Sequence, residues 1–203
     1  MNDPIAKLAN YFRDFPGIGE RQSKRFVYYL LTKDKNFLEE MANAVMNVKD
    51  GVHECISCHR FFAGNSPVCS ICNDEQIDHS SLLVIEKDAD LESIRKSKNY
   101  NGNYFVLGGS IPILEKNPEQ KVRINELKNR VEILAKDGLE EIILAFSLTP
   151  TGTHTDEIVR SFLNKFCSEH NIKLQSLGRG LSTGTELEYS DSETIKYALK
   201  NRG

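Results

Sequence analysis

The sequence has no stretch approaching the roughly 18 consecutive apolar residues needed to cross a bilayer. Its first residues, MNDPIAKLANYFRDF, hold no basic segment followed by an apolar one. A membrane-spanning helix is therefore not expected, a secretory signal is not visible, and the expectation is a cytoplasmic protein whose thiols stay reduced. Charge of one sign is missing as well, because 26 Lys and Arg stand against 29 Asp and Glu. That balance excludes a protein that coats a polyanion over its whole surface, so any contact with nucleic acid has to come from a local patch. No low-complexity tract and no internal repeat interrupts the 203 residues, a length that suits one medium domain with small modules attached.

Cysteine is scarce outside one place. Of the five in the chain, four fall in HECISCHRFFAGNSPVCSIC, residues 53–72, as the Cys-x-x-Cys pairs Cys55/Cys58 and Cys69/Cys72. Disulfides are excluded by the expected compartment, and a thioredoxin-like redox motif would be a single pair at a helix start. Two pairs facing each other across a ten-residue connector suit tetrahedral zinc, each pair offering two thiolates to one ion about 2.3 Å away. A closed four-sulfur shell leaves no position for substrate, so the site reads as structural Zn2+, one per chain. A module of about twenty residues needs such a staple because it cannot build an apolar core of its own. With four cysteines available, His53 and His59 are expected at the surface, and Cys167, in an apolar helical pattern, is expected in a core.

Along the chain, Ile5, Leu8, Tyr11 and Phe12 recur at helical spacing before FPGIGE interrupts with Pro16 and two glycines. A second helix carries Phe26, Val27, Leu30 and Leu31, and a third carries Leu38, Met41, Val45 and Val48. After the cysteines the pattern changes. SSLLVIE and YFVLGG are short apolar runs of the kind buried in parallel sheets, and a helix follows through Ile124, Leu127, Val131 and Leu134 with Gly138 as its C-terminal cap. The strand EEIILAF, the helix HTDEIVRSFLNKFCSEHN and the strand IKLQSL complete an alternation that predicts an α/β domain with a largely parallel sheet.

Three motifs have both a chemical and a plainer reading. FPGIGERQSKR has the form of the hairpin in a helix-hairpin-helix element: Gly17 and Gly19 permit a tight turn and close approach to a phosphate, and Arg21 and Arg25, with Lys24 between them, lie on one helix face. The plainer reading is an ordinary pair of helices with a solvated basic face, since residues 21–35 hold Arg21, Lys24, Arg25, Lys33 and Lys35 against Asp34 alone. Glu86 ends the first strand of the α/β domain, where open sheets place functional groups. With Asp88 and Asp90 it could hold Mg2+, but the expectation here is that Asp90 caps the next helix and Asp88 is a solvated loop residue. GRGLSTGTELEYSD lacks the Gly-Lys-Ser/Thr ending of a phosphate-binding loop and reads only as a functional loop or a turn.

In order and spacing, the Pro-Gly-x-Gly hairpin, the four-cysteine module, the strand ending in Glu86 with Asp90 after it, and the terminal Gly-Leu-x-x-Gly-x-Glu-Leu-Glu segment resemble the RecR family of bacterial recombination mediators. The resemblance implies an α/β Toprim domain with an N-terminal all-α helix-hairpin-helix region and a small four-cysteine zinc module. It implies a helix-hairpin-helix DNA-binding region over 1–53, the zinc module over 54–76, the Toprim domain over 80–175, and a C-terminal loop and helix at a subunit interface over 176–203. It further implies a homo-oligomer, a dimer or a tetrameric ring, that binds gapped or junction DNA without sequence preference and, with RecO and RecF, helps RecA replace the single-strand-binding protein. The site of action would be the bacterial nucleoid. Carried over residue by residue, the hairpin falls on Gly17, Gly19, Arg21, Lys24 and Arg25, the ligands on Cys55, Cys58, Cys69 and Cys72, the Toprim acids on Glu86 and Asp90, and the terminal loop on Gly180, Leu181, Gly184, Glu186, Leu187 and Glu188. Two positions depart from the pattern. Thr151 and Thr153 flank Gly152 where the family keeps acidic residues, which counts against Mg2+ and against phosphoryl transfer, and Ser182 stands where the family's loop usually has proline. The expectation is a non-enzymatic mediator. The competing readings are a metal-dependent Toprim phosphoryl-transfer enzyme and a zinc-stapled interaction module without DNA contact.

Overall fold

Asp3 begins the first helix by accepting the Ile5 N–H at 2.9 Å, with Pro4 at the first helical position where its missing N–H costs nothing. The computed structural model describes residues 3–178, 187–190 and 192–200, and the chain divides into two units, Met1–Val52 and His53–Gly203. In the first unit, α1 (Pro4–Arg13) and α2 (Glu20–Leu31) are joined by a turn in which Ile18 N–H donates to the Phe15 carbonyl at 3.1 Å. Pro16 and Gly17, the latter at φ +77°, occupy the two central positions of a type II turn, and the second of these requires a positive φ. Ala9 and Val27 are buried and Phe12 meets Phe26 edge-on at 5.5 Å. The third helix, α3 (Lys35–Gly51), starts where Asp34 accepts the Phe37 N–H at 2.8 Å. Its expected stripe of Leu38, Met41, Val45 and Val48 forms, but every one of these side chains is exposed.

The second unit is organised by one parallel sheet in the order β4-β3-β5-β6, from β3 (Asp78–Ile85), β4 (Gly102–Val106), β5 (Glu141–Ala145) and β6 (Lys173–Ser176). Both faces are covered, as parallel sheets require. Leu82 and Val84 of β3, Phe105 of β4 and Ile142 and Leu144 of β5 point to one face, where they meet α5 (Ile124–Lys136) and α6 (Pro150–Glu169). Leu83, Ile85, Tyr104 and Val106 point to the other, and there their companions are Leu91 of α4 (Asp88–Ser97) and the cysteines Cys55, Cys58 and Cys69. The cysteine module, which also holds the short paired strands β1 (Val52–Glu54) and β2 (Phe61–Ala63), thus takes the place a helix would have over that half of the sheet. A short helix, α7 (Ser192–Lys200), ends the described chain.

Several local expectations need correction. Helix α6 starts at Pro150, four residues before the predicted His154, because Thr149 caps it by accepting the Gly152 N–H at 3.1 Å. Asp90 is not the cap of α4; Lys87 is, and Asp90 sits in the first turn with its carboxylate accepting the Lys87 N–H at 2.9 Å. Asp88 is no solvated loop residue either, since it opens the helix and accepts the Phe61 N–H of the cysteine module at 2.8 Å. The cap at Gly138 is as expected: at φ +92° it lets Leu139 N–H reach back to the Leu134 carbonyl at 3.1 Å, the long bond of a Schellman motif.

Candidate functional site

The four cysteines converge on one point. Their sulfurs all lie within 4.8 Å of one another, and Cys58 Sγ is 3.7 Å from Cys69 Sγ. A tetrahedron of sulfurs about 2.3 Å from a central zinc has edges of about 3.8 Å, so the donor set and its spacing fit Zn2+. The knuckles are shaped by the backbone: Cys55 N–H donates to the Arg60 carbonyl and His59 N–H to the Cys55 carbonyl, each at 2.9 Å, with His59 in the left-handed region at φ 60°. Across the module, Cys69 N–H donates to Cys55 Sγ at 3.3 Å. Cys55, Cys58 and Cys69 are wholly buried. Hydrogen bonding from Cys58 holds the Cys69 thiol far below its ordinary value, while the bond to Cys69 drives Cys58 the opposite way. A divalent cation is what allows four such crowded thiols to ionise together.

His53 is exposed, as expected. His59 is not a surface residue: only 17% of its side chain is accessible, its Nδ1 lies 2.6 Å from Glu54 Oε1, and its ring meets Phe105 edge-on at 5.1 Å. Glu54 also pairs with Arg123 Nε at 3.1 Å. Burial alone would raise the Glu54 carboxyl, but the His59 hydrogen bond and the Arg123 charge outweigh it and hold the group below its usual range. Three further ties fix the module on the sheet. Val106 N–H donates to the Cys58 carbonyl at 2.8 Å, Phe61 N–H to Asp88, and Arg60 pairs with Glu92 of α4 at 3.5 Å. Cys167 lies in the other core, its thiol pushed up by burial.

The acidic position lies where the strand order reverses. Because β4 and β5 flank β3 on opposite sides, the crevice beyond the ends of β3 and β5 is the topological switch point, the usual ligand place in such sheets. Glu86, 5% exposed, follows β3 there. Its Oε1 accepts from Ser147 N–H at 3.1 Å and from Ser147 Oγ at 3.0 Å, and Ser147 Oγ lies 3.2 Å from Thr149 Oγ1. Asp88 and Asp90 are committed to Phe61 and Lys87. Thr151 and Thr153 lie in the first turn of α6, and Gly152 between them packs so tightly that a Cβ would overlap the Ser147 carbonyl oxygen. Among the described residues, the cysteines are the only such group that could hold a metal ion. Ser147 was invisible in the sequence, although the register that pairs Ile85 with Ala145 puts it next to Glu86 once the strands are aligned. Arg123 gave no local signal at all.

In the hairpin, Gly19 caps α2 without a side chain, and a Cβ at Gly17 or Gly19 would meet open space. The first turn of α2 therefore presents N–H groups that no cap side chain satisfies. Arg21 and Arg25 are exposed; Arg21 has no partner among the described residues, and Arg25 donates to Gln22 at 3.3 Å. Lys24 is paired with Glu20 at 2.7 Å and Lys35 with Glu39 at 3.3 Å, and Lys33 lies 4.5 Å from the Tyr29 ring centroid. The basic stretch is thus narrower than its sequence suggests, and its unpaired part is the Arg21/Arg25 face.

Comparison with known proteins decides the family. The recombination protein RecR of Lactobacillus acidophilus is 30% identical over 199 residues, 98% of this chain and 96% of its own length. The chain belongs to the RecR family. The RecR of Ruegeria sp. is 33% identical over 201 residues (99% of this chain, 96% of its own), and that of Bacteroides thetaiotaomicron 32% over 198 (98% and 92%). The Toprim domain model matches residues 80–173, the parallel sheet with its helices, and the model for the RecR C-terminal region matches 180–202. The fold is accordingly a Toprim α/β sheet with an all-helical N-terminal hairpin region and a four-cysteine zinc module. Within the RecR C-terminal region, Gly180, Leu181, Gly184 and Glu186 lie outside the described residues, while Glu188 is exposed in a short helical turn, Leu187–Tyr189. No helix among the described residues is long and apolar enough to cross a membrane.

Proposed function

We propose that this chain is a non-enzymatic recombination mediator. It binds gapped or junction DNA as a homo-oligomer and, with RecO and RecF, helps RecA displace the single-strand-binding protein at the bacterial nucleoid. The observation that carries the non-enzymatic reading is the bonding of Glu86. Phosphoryl transfer in a Toprim site needs a divalent ion held by opposed carboxylates against the reacting phosphate, and here Glu86 faces the hydroxyl and amide of Ser147 while Asp88 and Asp90 are used inside the fold. That arrangement counts against the topoisomerase-like or primase-like alternative.

The DNA contact in this reading is the hairpin. The uncapped N–H groups after Gly19 receive one phosphate, and Arg21 and Arg25, one turn apart, reach its neighbours, with Lys24 beside them. Residues 1–53 are then the DNA-binding region, 54–76 the zinc module, 80–175 the Toprim domain and 176–203 a subunit interface. Self-association is supported by α3, whose Leu38, Met41, Val45 and Val48 form an a/d-type apolar seam left in solvent. The deciding experiment loads RecA onto gapped DNA coated with single-strand-binding protein, in the presence of RecO and RecF, with the parent chain and with Arg21→Ala/Arg25→Ala. Stimulation by the parent that the double variant loses is the expected result, and a parent that never stimulates loading refutes the reading.

A further inference from the structure

A second basic place lies far along the sequence from the hairpin. Arg95, Lys96 and Lys98 put three cations into four residues at the end of α4, all exposed and without a salt-bridge partner among the described residues. Beside them opens a cleft of about 480 Å³ between the cysteine module and the start of β4, with Arg95 and Lys98 on its lining. Its lining is mixed: the edge-on ring pair Tyr100 and Tyr104 and the nearly buried Ile71 and Ile77 stand among polar groups. Both tyrosine hydroxyls are spent on backbone carbonyls, of Asn103 at 2.9 Å and Tyr100 at 3.3 Å, so neither competes for a ligand. Asn101 and the acid Asp74 share the lining but are engaged with Gln76, Asn101 Nδ2 donating to its carbonyl at 3.0 Å and Asp74 Oδ1 accepting its N–H at 2.9 Å, so the cations outnumber the acid two to one.

The backbone adds an independent observation. Lys98 ends α4 in the left-handed conformation at φ 55°, a position where glycine is the unstrained choice. Cations at a helix C-terminus are ordinary complements to the macrodipole, and Arg95 and Lys96 suffice for that. A lysine held in a strained conformation at the mouth of a cleft calls for a use of its ammonium.

We infer that this cleft is a second seat for single-stranded DNA, taking one unstacked base against the half-buried Tyr100 ring while Arg95 and Lys98 hold the adjoining phosphates. An aromatic ring beside cations is the chemistry of single-strand binding, and a duplex, with its bases stacked and paired, has no base to offer the ring. The inference rests on the reading of the chain as a DNA-binding mediator and extends it from the hairpin to the Toprim face.

The test is a salt titration with oligo-dT and with a duplex of equal length, for the parent, Arg95→Ala/Lys98→Gly and Arg21→Ala/Arg25→Ala. Lys98→Gly relieves the strained backbone, so the first variant is expected to melt no lower than the parent. It should nonetheless lose about 1.4 from the slope of log affinity against log salt on oligo-dT, two phosphates at about 0.7 each, with duplex binding unchanged. An oligonucleotide carrying 5-iododeoxyuridine should photocrosslink to the peptide containing Tyr100. An unchanged oligo-dT slope, an equal loss on duplex, or displacement of the crosslink by polyglutamate but not by oligo-dT overturns the inference. Loss of slope in the cleft variant but not in the hairpin variant leaves it standing and removes the hairpin instead.

Discussion

Ser147 donates both its backbone N–H and its hydroxyl to the same oxygen of Glu86, at 3.1 and 3.0 Å. The two residues follow adjacent strands at the switch point of the sheet, where a catalytic Toprim site would gather acids around a metal. A carboxylate that accepts two hydrogen bonds at a buried strand end clamps β3 to β5.

The first prediction follows from that clamp. Glu86→Gln keeps an acceptor for Ser147 but loses the charge, so stability should fall by about 1 to 2 kcal/mol, the difference between a charge-assisted and a neutral hydrogen bond. Ser147→Ala should cost a similar amount, and in a double-mutant cycle the two losses should be less than additive. Plasmid cleavage that needs Mg2+, co-purifies with the protein and vanishes in Glu86→Gln would show instead that the glutamate serves catalysis.

A second prediction concerns the metal. Purified protein should contain one zinc per chain. The cysteines share a core with Leu83, Ile85, Tyr104 and Val106, so losing the ion should unsettle the Toprim sheet as well as residues 53–76. Structural zinc in small modules contributes on the order of 10 kcal/mol, and at about 2 to 4 °C per kcal/mol for a chain of this size even a partial loss should lower the melting temperature by more than about 10 °C. Cys58→Ser should aggregate. A metal-free preparation that melts like the parent, or a soluble and fully folded Cys58→Ser, would contradict the centre.

A third prediction isolates the docking of the module. Asp88→Ala leaves the Phe61 N–H without its partner and should cost about 1 kcal/mol while zinc content stays at one per chain. Asp88→Asn, whose amide oxygen can still accept, should recover much of that loss. Faster amide exchange confined to residues 59–64 and the start of α4 is the accompanying signature, and unaltered exchange there would mean that the contact contributes nothing.

Much of this was legible because the signals were local. Cys55, Cys58, Cys69 and Cys72 announce a metal by spacing alone, Gly17 and Gly138 announce their backbone angles, and the unbroken apolar run Leu82, Leu83, Val84 and Ile85 announces a strand buried on both faces. What stayed hidden depends on pairing between distant segments. The Ser147 clamp needs the β3/β5 register, the Asp88 contact spans 27 residues to Phe61, and the burial of His59 involves its edge-on contact with Phe105. The place of Asp90 is hidden for a subtler reason. A carboxylate in the first turn and one at the cap both satisfy N–H groups at the helix start, and only the backbone conformation of Lys87, extended at φ −142°, separates them.

The last prediction links assembly to DNA affinity. One chain offers at the hairpin the Arg21/Arg25 face, with Lys24 and Lys35 already drawn to Glu20 and Glu39. Each phosphate neutralised contributes about 0.9 to the salt slope on duplex, so two or three contacts bind poorly at physiological salt. An oligomer that displays several copies along one duplex multiplies them through effective concentration. Breaking the exposed seam of α3 with Met41→Glu/Val45→Glu should therefore lower the oligomeric state seen on sizing and, with it, both affinity and slope, although neither residue touches DNA. Arg21→Ala/Arg25→Ala should do the converse, keeping the assembly while the slope falls. A seam variant that no longer assembles yet binds duplex as tightly as the parent would detach affinity from oligomerisation, and an assembled hairpin variant with the parent's slope would remove Arg21 and Arg25 from the DNA contact.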